Sequence, residues 1–178
     1  MMALEELGVD AGARVVAPSV ALTESPPLGI HPTFVAVEAA RGRAVVGFGD
    51  GWLRAQSLSL EGMGLSKVAK LDGVPLAAAR DVDGGLLIGT DGGSLVMLTG
   101  DRVEAVFAAE DWVNTLAVNA QARLRAFAAG KTLCVLDAAG AVVLRTADHA
   151  STVAGLAFSP DGAWIAAAHY GGVNVWKT

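Results

Sequence analysis

The chain has 178 residues, 53% of them hydrophobic and only 17% charged, so it has ample apolar surface to bury and is not a disordered chain. Its 13 Lys and Arg against 18 Asp and Glu give a net charge of −5 with no basic run, which argues against nucleic acid and against an anionic membrane surface. No uninterrupted apolar run approaches the roughly 18 to 20 residues that a bilayer-spanning helix needs, so a mean hydropathy of +0.48 must be folded inside.

Met1 to Val16 place Glu5, Glu6 and Asp10 ahead of any basic residue and hold no apolar core of signal-peptide length, which points to the cytoplasm rather than to secretion. Within that segment, Ala13-Arg14-Val15-Val16-Ala17 (residues 13–17) reads as a spare strand. A turn-rich stretch from Thr23 to Pro32, with Pro26-Pro27, separates it from the next run of strands.

Twenty-two glycines then cut the chain into apolar runs of five to seven residues, too short for ordinary helices and of strand length. The first unit, about residues 30–71, has a strand at Phe34 to Val37, a second from Arg41-Gly42 to Gly51, a third ending at Gln56 and a fourth at Ser66 to Leu71. In the second, about 74–108, the strands are Leu76 to Ala79, Gly84 to Gly93, one ending at Leu98, and Arg102 to Ala108. The third, about 112–146, repeats the frame at Val113 to Val118, Ala122 to Lys131, Leu136 and Ala141 to Thr146. The fourth, about 149–176, runs through Val153 to Phe158 and Asp161 to Gly171 and ends at Trp176. Third-strand ends are thus 42, 38 and 40 residues apart. Four short strands at that period predict an all-β protein of propeller blades, each a small twisted sheet that must pack on its neighbours.

The last unit carries a specific likeness. Its Asp148-His149, the Phe158-Ser159-Pro160-Asp161-Gly162 turn and the terminal Val175-Trp176 resemble a WD40 repeat, while units one to three are more degenerate. The resemblance implies WD40-like four-stranded antiparallel blades, with His149, Asp161, Gly162 and Trp176 in structural roles. A WD40 blade often adds an Asp before the third strand to complete a hydrogen-bonded network with its His and Trp; Tyr170 stands there instead, so that network is incomplete.

The last unit stops after its third strand, and in WD40 proteins an N-terminal strand commonly completes the last blade. By that resemblance Arg14 to Val16 would pair beside Val173 to Trp176. WD40 rings usually have seven or eight blades, which leaves three arrangements open: a fragment or half of a larger propeller, two chains forming one ring as a homodimer, and a closed four-blade ring.

No phosphate loop, zinc-spaced His and Cys pair or Gly-x-Ser-x-Gly elbow occurs, so no catalytic residue, metal or cofactor is assigned. Gly49-Asp50-Gly51 and Asp91-Gly92-Gly93 read as hairpin turns because they lack the alternating acidic ligands of a calcium loop. The lone Cys134 sits in the alternating run Leu133-Cys134-Val135-Leu136 and reads as a buried structural thiol. His31, Asp50, Trp52, Asp91, Asp111, Trp112, His169 and Tyr170 all fall in loops that a propeller opens on one face. Aromatic and charged groups on one rigid face suit an interface with a protein partner, so the expected function is a non-catalytic scaffold or adaptor. The alternatives are a small ligand or metal held by His31, His149 or His169 with Asp50 or Asp91 assisting, and a propeller enzyme.

Overall fold

The computed structural model describes residues 29–59 and 64–178. Blade one consists of β1 (Pro32–Glu38), β2 (Arg43–Phe48), β3 (Trp52–Ser57) and β4 (Ser66–Lys70). In blade two are β5 (Pro75–Arg80), β6 (Leu86–Thr90), β7 (Ser94–Thr99) and β8 (Arg102–Ala108). Blade three has β9 (Val113–Asn119), β10 (Leu124–Ala129), β11 (Thr132–Leu136) and β12 (Val142–Arg145), and blade four has β13 (Val153–Phe158), β14 (Trp164–His169) and β15 (Gly172–Lys177). Each sheet is an antiparallel meander in chain order. Four-stranded blades were expected throughout, but the last sheet has three strands among the described residues. Residues 13–17, expected to supply its fourth, lie outside the described residues.

Alternation along each strand sends apolar side chains to both faces of every sheet, and a sheet with two apolar faces is stable only between two others. The core accordingly lies between blades. Val45 and Leu53 of blade one meet Ile88 and Leu98 of blade two. On the other face of blade two, Leu87 and Leu95 meet Phe127 and Leu136, and on the far side of blade three Ala126 and Leu133 meet Val153 and Ile165. Each fully buried large aliphatic side chain contributes about 1.5–3 kcal/mol relative to exposure. Near the axis the packing leaves no room for side chains at some positions. A Cβ on Gly89 of β6 would stand 2.5 Å from both Cγ1 and the carbonyl oxygen of Val113 on the next blade.

The innermost strands β1, β5, β9 and β13 stand side by side in that order, and β13 makes no comparable approach to β1. The described blades therefore form an arc and not a closed four-blade ring.

Polar ties between blades collect at the end where the first strand of each sheet turns into the second. Arg43 donates to Asp101 Oδ1 (2.8 Å) and to the Gly100 carbonyl (2.6 Å), tying blade one to blade two. Arg125 makes a bidentate pair with Asp81 (2.6 and 2.8 Å) across blades two and three. Asn119 Nδ2 donates to the Ser159 carbonyl (2.9 Å) between blades three and four. Among the described residues no helix is long and apolar enough to cross a membrane.

Candidate functional site

At the opposite end lie the entries to the first strands and the hairpins joining second to third strands, brought together because neighbouring strands run antiparallel. Main-chain hydrogen bonds stitch these loops. Gly49 N–H donates to the His31 carbonyl (2.9 Å), Asp91 N–H to Val74 (3.0 Å), Ala109 N–H to Gly93 (2.9 Å), Gly130 N–H to Trp112 (3.1 Å) and His149 N–H to Lys131 (2.9 Å).

All eight residues assigned to a binding face lie in these loops or at their margins, but they do different things there. Asp50 and Asp91 are committed to loop structure. Asp50 accepts from the Trp52 N–H (3.1 Å) and from Arg54 Nη2 (2.7 Å), and that guanidinium, with the Trp52 N–H, holds its carboxyl below the usual carboxylate range. Asp91 Oδ1 accepts the Val74 N–H at 2.7 Å and braces the connection between blades one and two. The Trp52 ring carries the Lys67 ammonium at 4.5 Å and that of Lys70 at 6.0 Å, so its face is engaged by cations of β4. His31 and Asp111 are exposed, and Asp111 accepts the Trp112 N–H at 2.8 Å. Trp112 and Tyr170 present large exposed aromatic surface, and the Tyr170 N–H is fixed on Ser151 Oγ at 2.8 Å.

Around blade four, His149 is buried and its Nδ1–H donates to the Lys131 carbonyl at 2.6 Å; a carbonyl can only accept, which sets the tautomer. Its ring meets those of Trp176 and His169 edge-on, each at 5.2 Å between centroids. His169, at the end of β14, accepts the Gly171 N–H on Nδ1 (3.1 Å), so its Nε2–H donates to Asn174 Oδ1 (2.7 Å). His169 thus stands beside the His and Trp of this blade, while the Tyr170 side chain points away into solvent. The turn ahead of β14 is set by Asp161, whose carboxyl accepts the Ser159 hydroxyl (2.5 Å) and the Ala163 N–H (3.0 Å) and is held below its ordinary range by them. Gly162 completes that turn with φ of 72°, and a Cβ there would collide with the Ala122 Cβ. Among the described residues no three His, Cys, Asp or Glu side chains converge closely enough to hold a metal ion.

A concavity of about 560 Å³ opens on the same end, between blades two and three. Its floor is the tilted pair Phe107 and Phe127, ring centroids 5.2 Å apart, with the buried thiol of Cys134. Burial pushes that thiol's pKa up, against the smaller pull of Arg145. Its rim carries Glu110, Asp111 and Trp112 on one side and Lys131, Arg145 and Asp148 on the other, with Arg145 3.8 Å from Glu110. Of this group the sequence pointed to Asp111 and Trp112 alone. The signal for the rest was the periodicity, which puts Lys131 in the hairpin beside the Asp111-Trp112 loop.

Four successive antiparallel meanders packed face to face, with their first strands innermost, are blades of a β-propeller. Many solved structures are similar to this chain, among them two computationally designed proteins. The computationally designed Ika4 protein is 19% identical with a TM-score of 0.69, over 86% of this chain and 95% of that one. The computationally designed Ika8 protein is 18% identical with a TM-score of 0.67, over 83% of this chain but 46% of that one. At these identities the likeness bears on the fold alone. No family model and no curated protein matches the chain.

Proposed function

We propose that this chain is a non-catalytic binding module of the WD40-repeat type, a scaffold or adaptor that engages a protein partner through the loop face around Trp112. The observation that carries the reading is how that face is held. Its loops are fixed by main-chain hydrogen bonds together with side-chain braces from Asp50, Asp91, Asn114, His149 and Ser151, which leaves the side chains of Trp112, Tyr170 and His31 outward on a rigid frame. Rigid, exposed aromatic groups next to a concavity are what protein interfaces use as anchors. A cytoplasmic setting belongs to the same reading, since the single cysteine has no partner thiol and is buried.

A second reading, a small ligand in the cleft between blades two and three, has the cavity itself in its favour, since about 560 Å³ falls within the range of small-molecule sites. One experiment separates the two. A photo-crosslinking residue at position 112 or 170 is expected to trap one defined protein, with none trapped from position 102 beside the opposite end. Trp112→Ala should abolish the interaction while moving stability by less than about 1 kcal/mol, as a partly exposed surface residue does. Co-purification of a stoichiometric metabolite or metal with no protein trapped would overturn the adaptor reading in favour of the second one.

A further inference from the structure

The repeat makes it possible to ask which surfaces of the end blades would be interior in a middle blade. On blade three, Leu124, Ala126, Ala128, Leu133 and Val135 form the face that blade four covers, and the last four of these are buried. Forty residues on, the same places in blade four hold Trp164, Ala166, Ala168, Val173 and Val175. There Trp164 is 50% exposed, Val173 66% and Val175 58%. The composition of an inter-blade face is kept, and its cover is missing among the described residues.

At the other end of the arc the complementary surface is open. Leu116 and Val118 of blade three lie on the face packed against blade two. Their counterparts in blade one are Val35 and Val37, which pair with Val46 and Ala44 across the sheet and are 70% and 52% exposed. The arc thus ends in two halves of an inter-blade interface: a leading face that keeps Val35 and Val37 but carries Arg54 and Gln56 in the places of Cys134 and Leu136, and a trailing face like those the other blades offer to the next.

From these faces we infer that the 178-residue polypeptide pairs with a second copy of itself, blade four of each copy packing on blade one of the other. Twofold symmetry forms both junctions at once and closes a ring of eight blades, so no apolar end face is left and assembly stops at two. A polar protein partner would bury these valines poorly, whereas the leading face of a second copy offers Val35 and Val37 in the places that cover their equivalents within the chain. The inference rests on the blade faces and not on the loop face, so it stands or falls separately from the binding reading.

The test is the solution mass of the full chain by light scattering at tens of micromolar. Twice 18.0 kDa, or 36 kDa, is expected. Val175→Lys and, independently, Val35→Lys should each give a folded 18 kDa species with unchanged far-ultraviolet circular dichroism, because both side chains are exposed within one copy. Val143→Lys, an exposed valine on β12 away from either end face, should stay at 36 kDa. An 18 kDa wild-type chain would overturn the inference, as would a ladder of larger species, or end-face variants that remain dimeric.

Discussion

Replacing Asp81 by alanine is expected to destabilise the protein by about 3–5 kcal/mol, because it strands a buried guanidinium. The Arg125 and Asp81 side chains are 8% and 1% exposed and meet at 2.6 and 2.8 Å, joining the start of β10 in blade three to the end of β5 in blade two. Arg125 Nη1 also donates to the Ala138 carbonyl at 2.9 Å, so the guanidinium cannot swing out to water without breaking a further bond. Asp83 is a poor substitute, exposed and 3.5 Å away. For a chain of this size the loss corresponds to roughly 6–20 °C in melting temperature, and urea denaturation would measure it directly. The double replacement Asp81→Leu with Arg125→Met should recover most of the loss, since it removes both charges instead of orphaning one. Acid gives an independent reading. Burial opposes ionisation of Asp81, but the Arg125 hydrogen bonds and the Asp83 N–H outweigh it and hold the carboxyl below its ordinary range. With the folded pKa below an unfolded value of about 3.9, the stabilisation is complete above that pH and is lost as the pH falls through the folded value. The double variant should lack this part of the acid destabilisation. An alanine variant within about 1 kcal/mol of wild type, or an acid limb unchanged in the double variant, would refute the role given to the pair.

Three further outcomes are open to measurement. Gly89→Ala should lower stability by about 1–3 kcal/mol in urea titrations, because the new methyl would meet the main chain of Val113 and force blades two and three apart. Gly162→Ala places a Cβ on a residue with φ of 72° and should cost at least about 1–2 kcal/mol, with the contact to Ala122 adding to the strain. Cys134, buried on the cleft floor with its pKa raised, should react far more slowly with a thiol reagent in the native state at neutral pH than in urea; equal rates would mean that the cleft floor is open.

Much of the architecture was legible because a blade repeats a local pattern. Apolar runs punctuated by glycine at a period near 40 fixed the number of sheets, and Arg102 to Ala108 was read with both ends as the structure has them. What was not legible depends on which positions face each other across two blades. Arg125 is a polar residue inside an apolar strand, and its partner lies 44 residues away in a loop. Arg54 was equally mute until β2 and β3 brought it over the Phe48 ring, 4.5 Å from its centroid. Trp52 looked free for a partner, yet the register that sets it opposite Lys70 on β4 covers its ring with lysines. The cleft was invisible for a related reason: it arises where blades two and three diverge, and no single strand encodes that.

The two loop ends of the blades are held in chemically different ways, and the difference bears on where function can reside. At one end the blades are joined by side chains, with Arg43, Arg125 and Asn119 reaching across and Asp81 nearly inaccessible, so substitution there removes a tie between sheets. At the other end main-chain N–H and carbonyl groups, which every sequence possesses, carry many of the ties, and side chains such as Asn114 and His149 add to them. Side chains on that second face outside the braces Asp50, Asp91, Asn114, Thr132, Asp148, His149 and Ser151 can therefore change without removing a tie. The side chains of Trp112, Tyr170 and His31 stand outside that frame and are free to be shaped by a ligand. That physical asymmetry, and not the bare presence of tryptophan and tyrosine, is why the loop face around Trp112 is the place to look for a partner.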